Sequence, residues 1–269
     1  MVKKLYKHEL LAWLRVLTIL FGIVLGVSVM HRIIQFFEND SVYYSIVNGS
    51  VSFMYMIALL VCSVAPLVFG VVRFYKNLFT GEGYLSFTLP VRSADHLWVK
   101  LWTAVGFSIL SVIVCAVSVL IVTAGDVFTE ICKAGAYLLN RIPQNMVGHA
   151  VGYCLEFLVL LVVSTAGSFL LYDACICIGQ LFRKNRILAA VGVYFGYNVI
   201  SQILGTVLGV AMVILEASGA MDGVYAYAQT HTAEMVHIIL CGSIAATGMF
   251  ALVCWLICHH IIRKRLNLE

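Results

Sequence analysis

The chain has 269 residues, of which 62% are hydrophobic and 11% charged, with a formal net charge of +4. A soluble fold of this size leaves too much of its surface in water to hide that apolar share. A water-soluble domain is excluded, no nucleic-acid footprint is visible in the modest positive charge, and the natural solvent is a bilayer.

Six apolar runs are long enough to span hydrocarbon as helices, at roughly 11–33, 51–72, 98–124, 149–182, 187–215 and 235–262. No run alternates polar and apolar residues, so a strand barrel is excluded. In lipid the backbone must satisfy its own hydrogen bonds, which leaves helices. The expected fold is an all-α membrane protein, a single transmembrane domain over 1–269.

Before the first run, Val2, Leu5, Tyr6, Leu10 and Trp13 share one helical face, and Lys3, Lys4, Lys7 and His8 lie mostly elsewhere. This pattern predicts an amphipathic helix in the membrane interface. The first run is too long for a cleaved signal, and no small-x-small site follows it; it reads as a retained span. The second run carries Pro66, which is expected to kink it.

Between the second and third runs lies RFYKNLFTGEGYLSFTLPVRSADHLW, Arg73 to Trp98. Thr80–Gly83 and Leu89-Pro90 break helices on either side of Tyr84, Leu85 and Phe87, and Ser93 with Asp95 opens the next helix. An acid and two aromatics between two breakers suit either docking into a partner's groove or dipping into headgroups. After the third run, Val127, Phe128, Ile131, Ala134 and Leu138 share a face ahead of Pro143, which predicts a short surface helix.

The fourth run contains two acids, Glu156 and Asp173. Carboxylates within a span are costly and are functional candidates by default. Seventeen residues separate them, about 25 Å along a helix, so they do not form a pair. Asp173 reads as a transport residue or as a structural hydrogen-bonding group. In the fifth run Tyr194, Asn198, Ser201, Gln202, Gly205, Thr206 and Gly209 form one polar, small-residue stripe. Such a face avoids lipid by lining a wet path or by sealing a helix interface. Gly22/Gly26, Gly148/Gly152, Gly192/Gly196 and Gly205/Gly209 have the spacing that permits close helix contact. His259 and His260 end the last run as interfacial side chains.

Eight of the nine cysteines fall inside apolar runs, Cys132 lies in a connection, and no CxxC pair exists; they read as small apolar filler. There is no GxxxxGK[ST] phosphate loop, no HExxH and no GxSxG, so an enzyme has no visible nucleophile or metal centre. With six spans both termini share a side, and fourteen of the seventeen Lys and Arg residues fall there. The positive-inside rule makes that side cytoplasmic, and with it the 73–98 connection.

The stretch FYKNLFTGEGYLSFTLPV, Phe74–Val91, resembles the cytoplasmic loop of type 2 ABC transporter permeases of Gram-positive bacteria, and CIGQLFRKNRILAAVGVYFGYN, Cys177–Asn198, is similar to a second stretch of that group. The lead-in, six spans and inner termini match throughout. The resemblance implies an exporter subunit in the bacterial cytoplasmic membrane. It implies a coupling helix that docks on a separate cytoplasmic ATPase through Gly81, Glu82, Gly83, Tyr84, Leu85 and Phe87. It implies a second permease copy or homologue, with the path along the second and fifth spans: Ser52, Tyr55, Met56 and Ser63 facing Tyr194, Asn198, Ser201, Gln202 and Thr206. No cofactor is expected in this chain, with ATP and Mg held by the partner ATPase. The rivals are a proton-coupled carrier using Asp173, a non-transporting sensor or immunity protein, and an intramembrane enzyme.

Overall fold

The computed structural model describes residues 2–79, 93–141, 148–182 and 185–264. Among these there is no strand, and six helices are long and apolar enough to cross a membrane. The chain divides into two compact units, Met1–Arg141 and Ile142–Glu269.

The first unit holds α1 (Val2–Gln35), α2 (Val42–Phe79), α3 (Ser93–Thr123) and the short α4 (Asp126–Arg141). The amphipathic lead-in forms the first turns of α1 and runs unbroken into the first span. No glycine or proline occurs before Gly22, so nothing ends the helix there. The expected surface helix is present as α4.

Contacts give the directions of the spans. Glu9 meets Arg73, Trp13 meets Phe69 and His31 meets Ser52, so α1 and α2 are antiparallel. Tyr55 meets Ser118 and Cys62 meets Ser111, so α2 and α3 are antiparallel too. That makes α1 and α3 parallel, joined by Trp13 stacked on Phe107 with centroids 5.2 Å apart. One face of α1 supplies the core at helical spacing: Trp13, Leu17, Phe21, Val24, Ser28 and His31 are all buried.

Pro66 is buried within α2, and the helix continues through it. Proline has no N–H, so the carbonyl of Cys62, four residues back, loses its helical donor. Ser111 of α3 replaces it: its Oγ donates to the Cys62 carbonyl at 2.6 Å. In hydrocarbon no water is present to do this, and a neighbouring hydroxyl is one of the few remedies.

The second unit holds α5 (Ala150–Gly179), α6 (Arg186–Ala217), α7 (Asp222–Thr230) and α8 (Thr232–Lys264). His237 meets Glu156 and Ala251 faces Gly167, so α5 and α8 run parallel. Tyr194 packs on Tyr172 and Tyr197 on Phe250, which sets α6 antiparallel to both. The α5–α6 crossing is tight: a Cβ on Gly179 would lie 2.7 Å from the Ala190 Cβ and 2.8 Å from its backbone. Only glycine fits there. The short α7 lies in the 216–234 connection, which carries no helical signal beyond nine residues opened by Asp222.

Within each unit the long spans alternate in direction along the chain, although no sequence repeat announces it. The glycine pairs behave differently from their spacing. At Gly22, Gly26, Gly192, Gly196, Gly205 and Gly209 an added Cβ would meet nothing within 4 Å. Close approach occurs at Gly179, which is in none of these pairs, and at Gly152 of the Gly148/Gly152 pair, whose Cβ would stand 3.3 Å from the His237 ring.

Candidate functional site

The residues expected to dock an ATPase, Gly81, Glu82, Gly83, Tyr84, Leu85 and Phe87, lie outside the described residues. The helices that flank them are described. Phe74 and Leu78 near the end of α2, and His96 and Leu97 near the start of α3, are all buried. Both flanks are therefore packed into the first unit.

A charged cluster ties them to α1. Glu9 is 6% exposed. Its Oε1 accepts from Arg73 Nε at 2.7 Å and its Oε2 from Arg73 Nη2 at 3.1 Å, a bidentate pair. Lys100 Nζ donates to the same Oε1 from α3 at 3.5 Å. One carboxylate thus joins α1, the end region of α2 and the start of α3. A buried charge needs such partners, because taking it out of water unpaired is prohibitive.

In the sequence alone Arg73 and Lys100 count only among the fourteen basic residues of one side, and Glu9 is not singled out. A signal existed. Glu9, Trp13 and Leu17 are spaced i, i+4, i+8, so the acid sits on the apolar face of α1, where an unpaired carboxylate is untenable.

Of the second-span residues expected to line a path, two point into the first unit. Tyr55 is buried, its Oη accepts from Ser118 Oγ at 3.1 Å, and its ring stacks on His31 at 5.7 Å. Ser52 Oγ donates to the Asn48 carbonyl at 2.7 Å and so accepts from His31 Nε2 at 2.9 Å. That assigns the Nε2–H tautomer to His31. Met56 is exposed, and Ser63 is exposed with its hydroxyl closed on the Leu60 carbonyl.

In the second unit the polar stripe lies on an exposed face of α6. Tyr194 is half-buried against Tyr172, while Asn198, Ser201, Gln202 and Thr206 are exposed. Asn198 Nδ2 donates to the Tyr194 carbonyl at 2.9 Å and Thr206 Oγ1 to the Gln202 carbonyl at 2.8 Å. Half the stripe therefore answers its own polarity within the helix.

The two acids stand apart, as their spacing requires. Asp173 is buried, 6% exposed, on the part of α5 where Ala174, Cys175, Ile176 and Cys177 are also buried. Glu156 is half-buried near the other end of α5, with Oε1 2.7 Å from His237 Nδ1. That histidine was missed, because the pairing joins residues 81 positions apart.

On α7, Tyr227 Oη donates to Glu234 Oε2 at 2.7 Å. That bond raises the Tyr227 phenol above its ordinary range, and the charge of Glu216 does the same to Tyr225. All nine cysteines are free. Among the described residues no three His, Cys, Asp or Glu side chains are placed to hold a metal ion. No protein-family model, curated protein or solved structure matches the chain.

Proposed function

We propose that the chain is the membrane permease subunit of an ABC-type exporter in a bacterial cytoplasmic membrane, with both termini cytoplasmic. The observation that carries this reading is the polar, aromatic connection after the second span, GEGYLSF with its flanking breakers, which resembles the coupling loop of type 2 permeases. The Glu9 cluster supports it mechanically. Both helices leaving the connection are ion-paired to α1, so a push delivered there reaches three spans together. The energy comes from a separate ATPase, which binds ATP with Mg and grips Gly81, Glu82, Gly83, Tyr84, Leu85 and Phe87. A second copy or homologue completes the path. For work to be transmitted, the nucleotide-bound ATPase must bind one permease state more tightly than the other.

The test is purification of the chain from its native membrane in mild detergent, followed by identification of its companions. A co-purifying soluble ATPase is expected, with its hydrolysis stimulated by the permease. The double variant Glu82→Lys/Tyr84→Ala should fold and lose that stimulation. Unchanged transport in the variant would reject the coupling role.

The burial of Asp173 keeps one rival in play, a proton-coupled carrier. It predicts transport by the pure chain in vesicles under a pH gradient without nucleotide.

A further inference from the structure

The geometry points to a proton-binding switch, built from Glu156, His237 and His149, that locks the start of α8 against the start of α5 and releases it on acidification. It involves only the second unit and does not depend on the exporter reading.

Three titratable groups are chained in space. Glu156 Oε1 lies 2.7 Å from His237 Nδ1, and His237 Nε2 lies 3.4 Å from His149 Nδ1. The rings of His149 and His237 meet edge to face at 5.3 Å, and Tyr153 packs on His237 at 4.5 Å. Tyr153 Oη also donates to the Ala233 carbonyl at 3.0 Å. His149 is the N-cap residue of α5, yet its side chain makes no capping bond. It is spent on the α8 contact instead.

Counting protons shows why the arrangement responds to acid. With Nδ1–H given to Glu156, only one proton fits between His237 Nε2 and His149 Nδ1. That is satisfied when one imidazole donates and the other accepts. A first added proton is accommodated, with a cationic His237 donating to both Glu156 and His149; a second, on His149, puts two N–H groups and two positive charges face to face across 3.4 Å, and the contact must open. Glu156 Oε2 is buried and makes no hydrogen bond, so the carboxylate has no second anchor among the described residues. Histidine is the side chain whose charge ordinarily changes in the mildly acidic range.

The surrounding charges do not cancel the effect. On α8, Glu234 is turned to Tyr227 and Cys241 Sγ lies 3.9 Å from Glu156 Oε1. On α7, His231 stacks on Tyr227 and bonds Thr230. Glu216 at the end of α6 acts on Tyr225, as does Asp222 of α7. No Lys or Arg of α5, α6 or α8 lies at this end; Arg186 and Arg263 are at the far ends of their helices.

Hydrogen–deuterium exchange of the purified full chain in detergent tests the switch, read on the first two turns of α8 and corrected for intrinsic exchange. Exchange there should quicken about fivefold or more between about pH 7.5 and pH 5.5, with the rest of α8 unaffected. His149→Asn keeps an acceptor for a His237 Nε2–H and removes the second of the two facing N–H groups, so it should exchange slowly at both values. Glu156→Gln keeps an acceptor for His237 Nδ1–H, so at pH 7.5 it should exchange as slowly as the parent, with the helical circular dichroism of the parent showing that it folds. Equal exchange of the parent at both pH values, or an acid response surviving in His149→Asn, would overturn the proposal.

Discussion

Arg73 holds Glu9 through two parallel bonds, 2.7 Å from Nε and 3.1 Å from Nη2, across 64 positions of sequence. Glu9 accepts from two cations, Arg73 and Lys100. Replacing it with Gln leaves two like charges in a mostly buried place. The Arg73 side chain keeps 24% of its exposure, which relieves part of the penalty. The expected loss is about 2–4 kcal/mol. SDS titration of the detergent-solubilised chain, followed by circular dichroism, measures it. A double-mutant cycle of Glu9→Ala with Arg73→Ala should return a coupling of about 1–3 kcal/mol; additive losses would mean the pair is idle.

Ser111 and Pro66 make a compensated pair through one carbonyl. Ser111→Ala leaves the Cys62 carbonyl without its 2.6 Å donor and should cost about 1–3 kcal/mol in the same titration. Pro66→Ala restores the helical N–H to that carbonyl. In the Pro66→Ala background, Ser111→Ala should therefore cost much less. If the serine matters equally in both backgrounds, its role is packing and not donation.

At Gly179 the backbone of Ala190 leaves no space for a side chain. Gly179→Ala must push α5 and α6 apart, and the expected loss is about 2–3 kcal/mol. Gly192→Ala is the control: it sits in a glycine pair of the right spacing but faces open space, so it should be neutral or slightly stabilising through helix propensity.

Tyr227 and Tyr225 offer a pH readout outside the spans. Hydrogen bonding to Glu234 and the charge of Glu216 favour the neutral phenols, so each ionises at higher pH than an ordinary tyrosine. The contribution is in place below the ordinary phenol range and fades as pH rises through the raised value. Ultraviolet titration of the chain should show a late-ionising fraction, and Glu234→Gln should shift part of it earlier. An unchanged curve in that variant would mean the 2.7 Å bond does not persist in solution.

The six spans, the α4 surface helix and the separation of Glu156 from Asp173 were legible because each depends on local pattern: run length, helical spacing or rise per residue. What escaped were pairings across helices. Glu9 with Arg73, Ser111 with Cys62 and His237 with Glu156 join residues 64, 49 and 81 positions apart, and no single-helix periodicity encodes them. Glycine spacing is uninformative for the same reason in three of the four pairs. It states that a helix could be approached closely, and says nothing of whether a neighbour arrives. Gly179 has no partner glycine, yet it is where two backbones meet.

The polar stripe of α6 remains the most exposed test of the transport reading. Asn198 and Thr206 each give one donor to their own helix, while no helix bond of that kind ties down the exposed Gln202 amide among those described. Lipid is a poor neighbour for a primary amide, whereas a wet path or a second permease is a good one. Single cysteines at Gln202 and at Val207, in a background without the exposed native thiols, separate these surroundings. A charged methanethiosulfonate reagent should modify Gln202→Cys at least about tenfold faster than Val207→Cys, because thiolate chemistry needs water. Addition of ATP with the partner ATPase should change the first rate and not the second. Equal and slow modification at both positions would place the stripe in a dry environment and remove it from any path.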